Sequence, residues 1–72
     1  MRAERLVSMA NDIGAFFNAE TDKGVAAQSV ASHIKRYWDP RMRREIVTHY
    51  RDGGAGFDPL VRSAVALLAA SA

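Results

Sequence analysis

The stretch Tyr37-Trp38-Asp39-Pro40-Arg41 marks a boundary between two helices in the middle of the chain. Pro40 has no amide hydrogen and disfavours helical dihedrals at the residue before it, so a helix that runs into this stretch has to end near Trp38. An Asp followed directly by Pro is also typical of an N-cap and a first helical position. The five residues therefore predict the end of one helix and the start of the next.

Capping residues and apolar spacing predict three further helix boundaries around this central one. Gly53 and Gly54 end the third helix, and Asp58-Pro59 repeats the cap-plus-proline pattern at the start of a fourth. The polar connection Asn18 to Gly24 separates the first two helices, with Thr21 or Asp22 as the N-cap of the second. The apolar residues that recur at helical steps are Leu6, Met9, Ala10, Ile13, Phe16 and Phe17 between about residues 3 and 18, then Val25, Ala26, Val30, Ile34, Tyr37 and Trp38, then Met42, Ile46, Val47 and Tyr50, and finally Leu60, Val61, Ala64, Val65, Leu67 and Leu68. The sequence predicts an all-α fold, with residues 1–72 forming one small domain of about four short helices.

The hydrophobic core has to hold this domain together, because a chain without Cys has neither disulfides nor Cys-based zinc sites. The residues that we expect in the core are Met9, Ile13, Phe16, Ile34, Ile46, Val65 and Leu68. Trp38 is suited either to the core or to an interface. The short connections favour packing of consecutive helices against each other.

The chain shows no feature of an exported or membrane-spanning protein. Charged residues interrupt the first positions, and the longest apolar run, Ala64 to Ala70, is far shorter than the roughly 20 residues that a spanning helix needs. The absence of Cys fits a reducing compartment. We therefore expect a protein without an export signal or a membrane span, which is compatible with the cytoplasm.

No combination of residues in the sequence predicts catalysis, metal binding or cofactor binding. The only two histidines, His33 and His49, lie on different predicted helices, and none of the eight acids stands three or four residues from both. Gly53-Gly54-Ala55-Gly56 resembles a phosphate-binding loop only superficially, since no Lys follows it and no strand precedes it. We expect it to be a helix C-cap and turn, and we predict that the chain is not an enzyme by itself.

A basic patch in the middle of the chain leaves two kinds of partner open. Six basic residues lie between His33 and the end of the third helix, against only Asp39 and Glu45, and they are Lys35, Arg36, Arg41, Arg43, Arg44 and Arg51. Arginine beside Tyr37 and Trp38 is the composition of a protein interface. A basic third helix could also imitate a DNA-binding helix-turn-helix. We favour protein docking, because the acids interrupt the patch and the Asp-Pro turn differs from a Gly-containing helix-turn-helix turn; a small DNA-binding protein and a self-associating helical module remain as alternatives.

Three segments together resemble the delta subunit of NAD-dependent formate dehydrogenase. They are Leu6 to Ile13 with Phe16-Phe17, Val30 to Arg43, and Gly53 to Arg62. The resemblance extends over nearly the whole chain, and Trp38 to Arg43 is its most specific part.

The resemblance implies a non-catalytic accessory subunit that carries no cofactor itself. Its partner would be a cytoplasmic complex whose alpha subunit holds a molybdenum bis-pterin cofactor and iron–sulfur clusters, while the beta and gamma subunits pass electrons to FMN and NAD. The delta subunit would dock on the alpha subunit and support assembly or stability. We expect the partner-binding residues to be Arg36, Tyr37, Trp38, Arg41, Met42 and Arg43. Exchange of Arg41 and Arg43 for Glu is then expected to weaken docking without disturbing the helices.

Overall fold

The computed structural model describes residues 2–71, and these form four α-helices. The helices are α1 (Ala3–Phe17), α2 (Lys23–Tyr37), α3 (Pro40–Arg51) and α4 (Pro59–Ser71). The predicted all-α fold class is confirmed, and the predicted helix boundaries agree closely with the observed ones.

Side-chain caps begin α2 and α3 as the sequence indicates. Asp22 is the N-cap of α2, and its Oδ1 accepts hydrogen bonds from the amides of Gly24 and Val25 at 3.0 and 3.2 Å. Asp39 is the N-cap of α3, where its Oδ1 accepts a hydrogen bond from the amide of Met42 at 2.9 Å. Each carboxylate thus satisfies amides that have no partner within the helix.

The glycines after α3 act as a C-cap. Gly53 and Gly54 have φ values of 114° and 64°, which a residue with a side chain rarely adopts, and the amide of Gly54 donates back to the carbonyl of His49 at 2.9 Å. The guanidinium of Arg62 donates to the carbonyls of Gly53 and Gly54 at 3.2 and 2.8 Å. The predicted role of this segment as a C-cap and turn is confirmed.

Two side chains fasten the rest of the α3–α4 loop to the helices. Asn11 on α1 donates through Nδ2 to the carbonyl of Gly56 at 3.0 Å and accepts through Oδ1 from the amide of Asp58 at 3.1 Å. The Nε2 of His49 donates to the carbonyl of Ala55 at 2.8 Å. His49 therefore has a structural role in this loop.

The hydrophobic core draws on all four helices, with the most extensive packing between α2 and α4. The largest completely buried side chains are Leu6, Val30, Ile34, Ile46, Val61 and Val65. Ile34, Ile46, Val65 and Leu68 are buried as predicted, while Met9 and Ile13 are half-buried against the core.

The prediction that Phe16 belongs to the core is wrong, because its side chain is 79% exposed. The buried face of α1 is formed by Leu6, Val7, Ala10 and Gly14. Phe17 continues that face as a half-buried residue, and Phe16 is turned away from it by the step of one residue along the helix.

Consecutive helices pack against each other except at one place, α2 and α3, which make only marginal contact. Trp38 and Asp39 are both extended, with ψ values of 142° and 165°, and carry the chain away from the end of α2. The expectation of neighbour packing is therefore wrong for this pair, and α4 returns to pack against α2 instead.

Candidate partner-binding surface

The six residues that the sequence singles out lie at the junction of α2 and α3. Arg36 and Tyr37 are the last two residues of α2, Trp38 is its C-cap, and Arg41 to Arg43 lie in the first turn of α3. The structure therefore brings the six into one neighbourhood, but their side chains differ in exposure and contacts.

The Trp38 side chain lies in the hydrophobic core and is only 6% exposed. Its amide donates to the carbonyl of Ile34 at 2.9 Å, which completes the last hydrogen bond of α2. Of the two roles that the sequence leaves open for Trp38, the structure shows the core position. In this conformation the indole supports the junction from inside.

The Arg43 side chain, on α3, is half-buried and caps the C-terminal end of α2 through hydrogen bonds. Its Nη1 donates to the carbonyl of Lys35 at 3.2 Å and to that of Trp38. These carbonyls lie at the C-terminal end of the helix, where the helix dipole favours a positive charge. Arg43 therefore stabilises the junction, and its exchange for Glu would disturb the fold, contrary to the sequence-based expectation.

Replacing Arg43 by Ala is expected to lower the free energy of unfolding by about 1–2 kcal/mol, because its charge-assisted hydrogen bonds to the carbonyls of Lys35 and Trp38 are lost. The measurement is urea unfolding followed by circular dichroism. Arg44→Ala is the matched control, since Arg44 is exposed and a surface change of this kind stays within about 0.5 kcal/mol. Equal stability of the two variants would contradict the role assigned to Arg43.

The Arg41 side chain is 80% exposed, and it lies 3.6 Å from the carboxylate of Glu45 one helical turn later. Such an exposed ion pair contributes little to stability. Met42 next to it is half-buried against the core. Arg41 therefore presents charge to the outside, whereas Met42 contributes to both core and surface.

An aromatic row extends from the junction along the outer side of α2 and reaches the end of α1. It consists of Phe16, Phe17, His33 and Tyr37, with centroid separations of 5.0, 6.3 and 4.7 Å between successive rings. The Tyr37 side chain is 66% exposed, and the guanidinium carbon of Arg36 lies 5.7 Å from its ring centroid. The row is thus continuous and ends in a cation.

Phe16 and His33 belong to this surface, although the sequence interpretation placed Phe16 in the core and gave His33 no role in binding. A signal for them was present. Adjacent residues on a helix are about 100° apart, so Phe16 and Phe17 cannot both face one narrow core. His33 and Tyr37 are four residues apart on α2, a spacing that stacks side chains on one face.

Another arginine of the basic patch, Arg51, also forms a hydrogen bond within the protein. Besides Arg43, the Nη2 of Arg51 donates to the carbonyl of Ala69 in α4, at 3.4 Å. These two arginines hold helices together in addition to carrying charge. Such contacts favour an internal role for part of the patch over a row of phosphate contacts.

Within residues 2–71, no three His, Asp or Glu side chains come together in a way that could hold a metal ion. The same residues include no helix that is both long enough and apolar enough to cross a membrane. What stands out is the surface of exposed rings and arginines on a small helical frame. Fold and surface together define a small all-α protein with the features of a binding subunit.

A family model described as the NADH-dependent formate dehydrogenase delta subunit, FdsD, matches residues 5–65. The match extends over most of the chain and includes the α2–α3 junction, so the chain belongs to this delta-subunit family. The resemblance noted in the sequence is confirmed. No curated protein and no solved structure gives a significant match to the chain. As a formate dehydrogenase subunit, the chain has other subunits of that complex as its partners.

Proposed function

We propose that this chain is a non-catalytic accessory subunit of a cytoplasmic NAD-dependent formate dehydrogenase, docking on the molybdenum-containing alpha subunit. In this role it supports assembly or stability of the complex and its cofactor. The observation that carries the proposal is the family membership over residues 5–65. The exposed Tyr37 ring and the exposed arginines Arg36 and Arg41 at the α2–α3 junction support it, because they are residue types enriched at protein interfaces.

The six junction residues divide into two roles in this proposal. Arg36, Tyr37 and Arg41 offer exposed charge and aromatic surface to the alpha subunit. Trp38 and Arg43 hold these side chains in place from the core and from the end of α2, and Met42 bridges the two groups. The cofactors of the complex, a molybdenum bis-pterin, iron–sulfur clusters and FMN, are assigned to the other subunits.

The assembly role is tested by producing the enzyme in cells with and without this chain. We expect a lower molybdenum content per alpha subunit, or faster loss of formate oxidation on warming, when the chain is absent. Returning the gene should restore both. If the alpha subunit has the same molybdenum content and the same thermal inactivation rate in both preparations, the assembly or stability role is wrong.

DNA binding is the second candidate function, and it would rest on Arg41 and Arg44, which are exposed arginines of α3. Binding that rests on phosphate contacts weakens steeply as salt is raised, whereas a docked subunit with apolar contacts survives a high-salt wash. Titration of the purified chain with duplex DNA at several salt concentrations separates the two. Tight binding at physiological salt would favour the DNA-binding alternative.

A further inference from the structure

The aromatic row leaves large apolar side chains exposed on one side of the molecule. Phe16 and Tyr37 belong to it, and Val25, which is 45% exposed, lies beside it in the groove that contains Phe17, His33 and Tyr37. These are three of the four large hydrophobic side chains that are exposed within residues 2–71. Their concentration in one place is the pattern of an interaction site, since single exposed apolar residues are normally scattered.

The exposed rings sit on firm supports. Phe16 packs edge-on against Phe17, whose ring is half-buried against the core. The Tyr37 ring lies tilted against His33, which is also half-buried, with 4.7 Å between the ring centroids. Each exposed ring therefore has a partly buried neighbour that limits its freedom before binding. A surface that is ordered in advance loses less conformational entropy when a partner covers it.

The groove beside the row carries a single charge. Arg36 is the only charged side chain among the residues that line the groove, all of which lie within the described range, and it rests over the exposed ring of Tyr37. Arg41, beyond the end of α2, is also exposed, but Glu45 lies 3.6 Å from it and offsets its charge. A surface that complements this groove is therefore expected to be apolar at its centre and to carry a carboxylate at the edge that faces Arg36.

A second copy of this chain fits that description poorly. The chain has a net charge of +2. If two copies paired through the same groove, the Arg36 side chains of both copies would meet, and the described residues that line the groove include no acidic one to balance them. Like charges at an interface oppose association. The charge pattern therefore favours a different, acidic partner.

We propose that the row Phe16–Phe17–His33–Tyr37, with Val25 and Arg36, is the face that docks on an apolar, carboxylate-edged surface of the alpha subunit. This inference rests on the proposed function, and it extends the docking face from the α2–α3 junction back to the end of α1. The centre of the contact is Phe16 and Tyr37, and Arg36 sets its orientation through a carboxylate of the partner.

The test measures binding of the purified chain to the alpha subunit by surface plasmon resonance. The double variant Phe16→Ala/Tyr37→Ala removes both exposed rings, and we expect at least about tenfold weaker binding, the effect of losing interface hot spots. Arg36→Glu is expected to weaken binding and to reduce its dependence on salt.

Three controls keep the result specific. Tyr37→Phe retains the ring and should bind within about twofold of the wild type. Arg5→Glu makes the same charge change as Arg36→Glu, but in the first turn of α1 and away from the row, so it should bind like the wild type. Circular dichroism of every variant should show the wild-type helix content, because Phe16 and Tyr37 are exposed.

Three other results would contradict the proposal, each in a different way. Wild-type affinity in the double variant would show that the docking face lies elsewhere, while leaving the proposed function in place. Failure of the wild-type chain to bind the alpha subunit would refute the proposed function as well. A dimer of the chain alone that disappears in the double variant would show that the row pairs with a second copy.

Discussion

Replacing Ile34 by Ala is expected to lower the free energy of unfolding by about 2–5 kcal/mol, the range for truncating a buried aliphatic side chain. Ile34 is completely buried in the middle of the core cluster, on the helix that packs most extensively against α4. Small domains of this kind have total stabilities of only a few kcal/mol. The variant should therefore unfold at a much lower urea concentration than the wild type, or be largely unfolded already without urea.

Urea unfolding followed by circular dichroism measures this change, with Val25→Ala as the matched control. Val25 lies on the same helix but is 45% exposed and outside the core, and we expect its truncation to change the free energy of unfolding by less than about 0.5 kcal/mol. If the two variants were equally stable, Ile34 could not occupy the position that the core assigns to it.

Replacing Gly14 by Ala is the second change with a large expected effect. Glycine inside an exposed helix costs up to about 1 kcal/mol relative to alanine, so the substitution would stabilise an ordinary surface position. At Gly14, however, an added Cβ would lie 2.5 Å from Cγ2 of Val61 on α4, and Val61 is completely buried. The clash reverses the sign, and we expect a net loss of about 1–3 kcal/mol.

A double-mutant cycle separates this clash from a simple helix effect. Val61→Ala leaves a cavity and destabilises the wild type, but it also removes the atom that the new methyl group would meet. Gly14→Ala should therefore cost clearly less in the Val61→Ala background than in the wild type. A stabilising effect of Gly14→Ala in the wild type would contradict the close approach of α1 and α4.

The helices could be predicted from the sequence because their ends are determined by local chemistry. The Asp39-Pro40 pair and the cap at Asp22 act within three residues of themselves, and the structure shows both carboxylates bonded to the amides that the pattern indicates. The glycines after α3 likewise need only their own backbone freedom. Such features do not depend on how the helices are arranged.

The arrangement of the helices, and with it the surface, depends on contacts between distant residues. The sequence gives no sign that Gly14 would face Val61, 47 positions later. The marginal contact between α2 and α3 is equally hidden, since loop length alone favours packing of neighbours. Helical periodicity shows which side of a helix is apolar, but it does not show which residues at the border of that side are buried.

The residues of the proposed site could be named from the sequence, but they could not be divided into buried and exposed ones. Aromatic and basic residues around the Asp39-Pro40 pair suggest a binding surface there, and the structure brings these residues together at the α2–α3 junction. Which of them are exposed depends on the extended backbone at Trp38, which directs the indole into the core, and on the carbonyls that Arg43 reaches at the end of α2. These contacts join residues in space, and a one-dimensional pattern of residue types does not contain them.

Binding of the purified chain to the alpha subunit of the formate dehydrogenase tests the central proposal most directly. The two proteins are mixed at raised salt and separated by size-exclusion chromatography, with the mass of each peak measured. We expect the chain to elute with the alpha subunit as a stable complex, because apolar contacts persist when charges are screened. Elution of the chain alone, together with binding to duplex DNA at low salt, would contradict the docking role and make the basic residues of α3 the primary site.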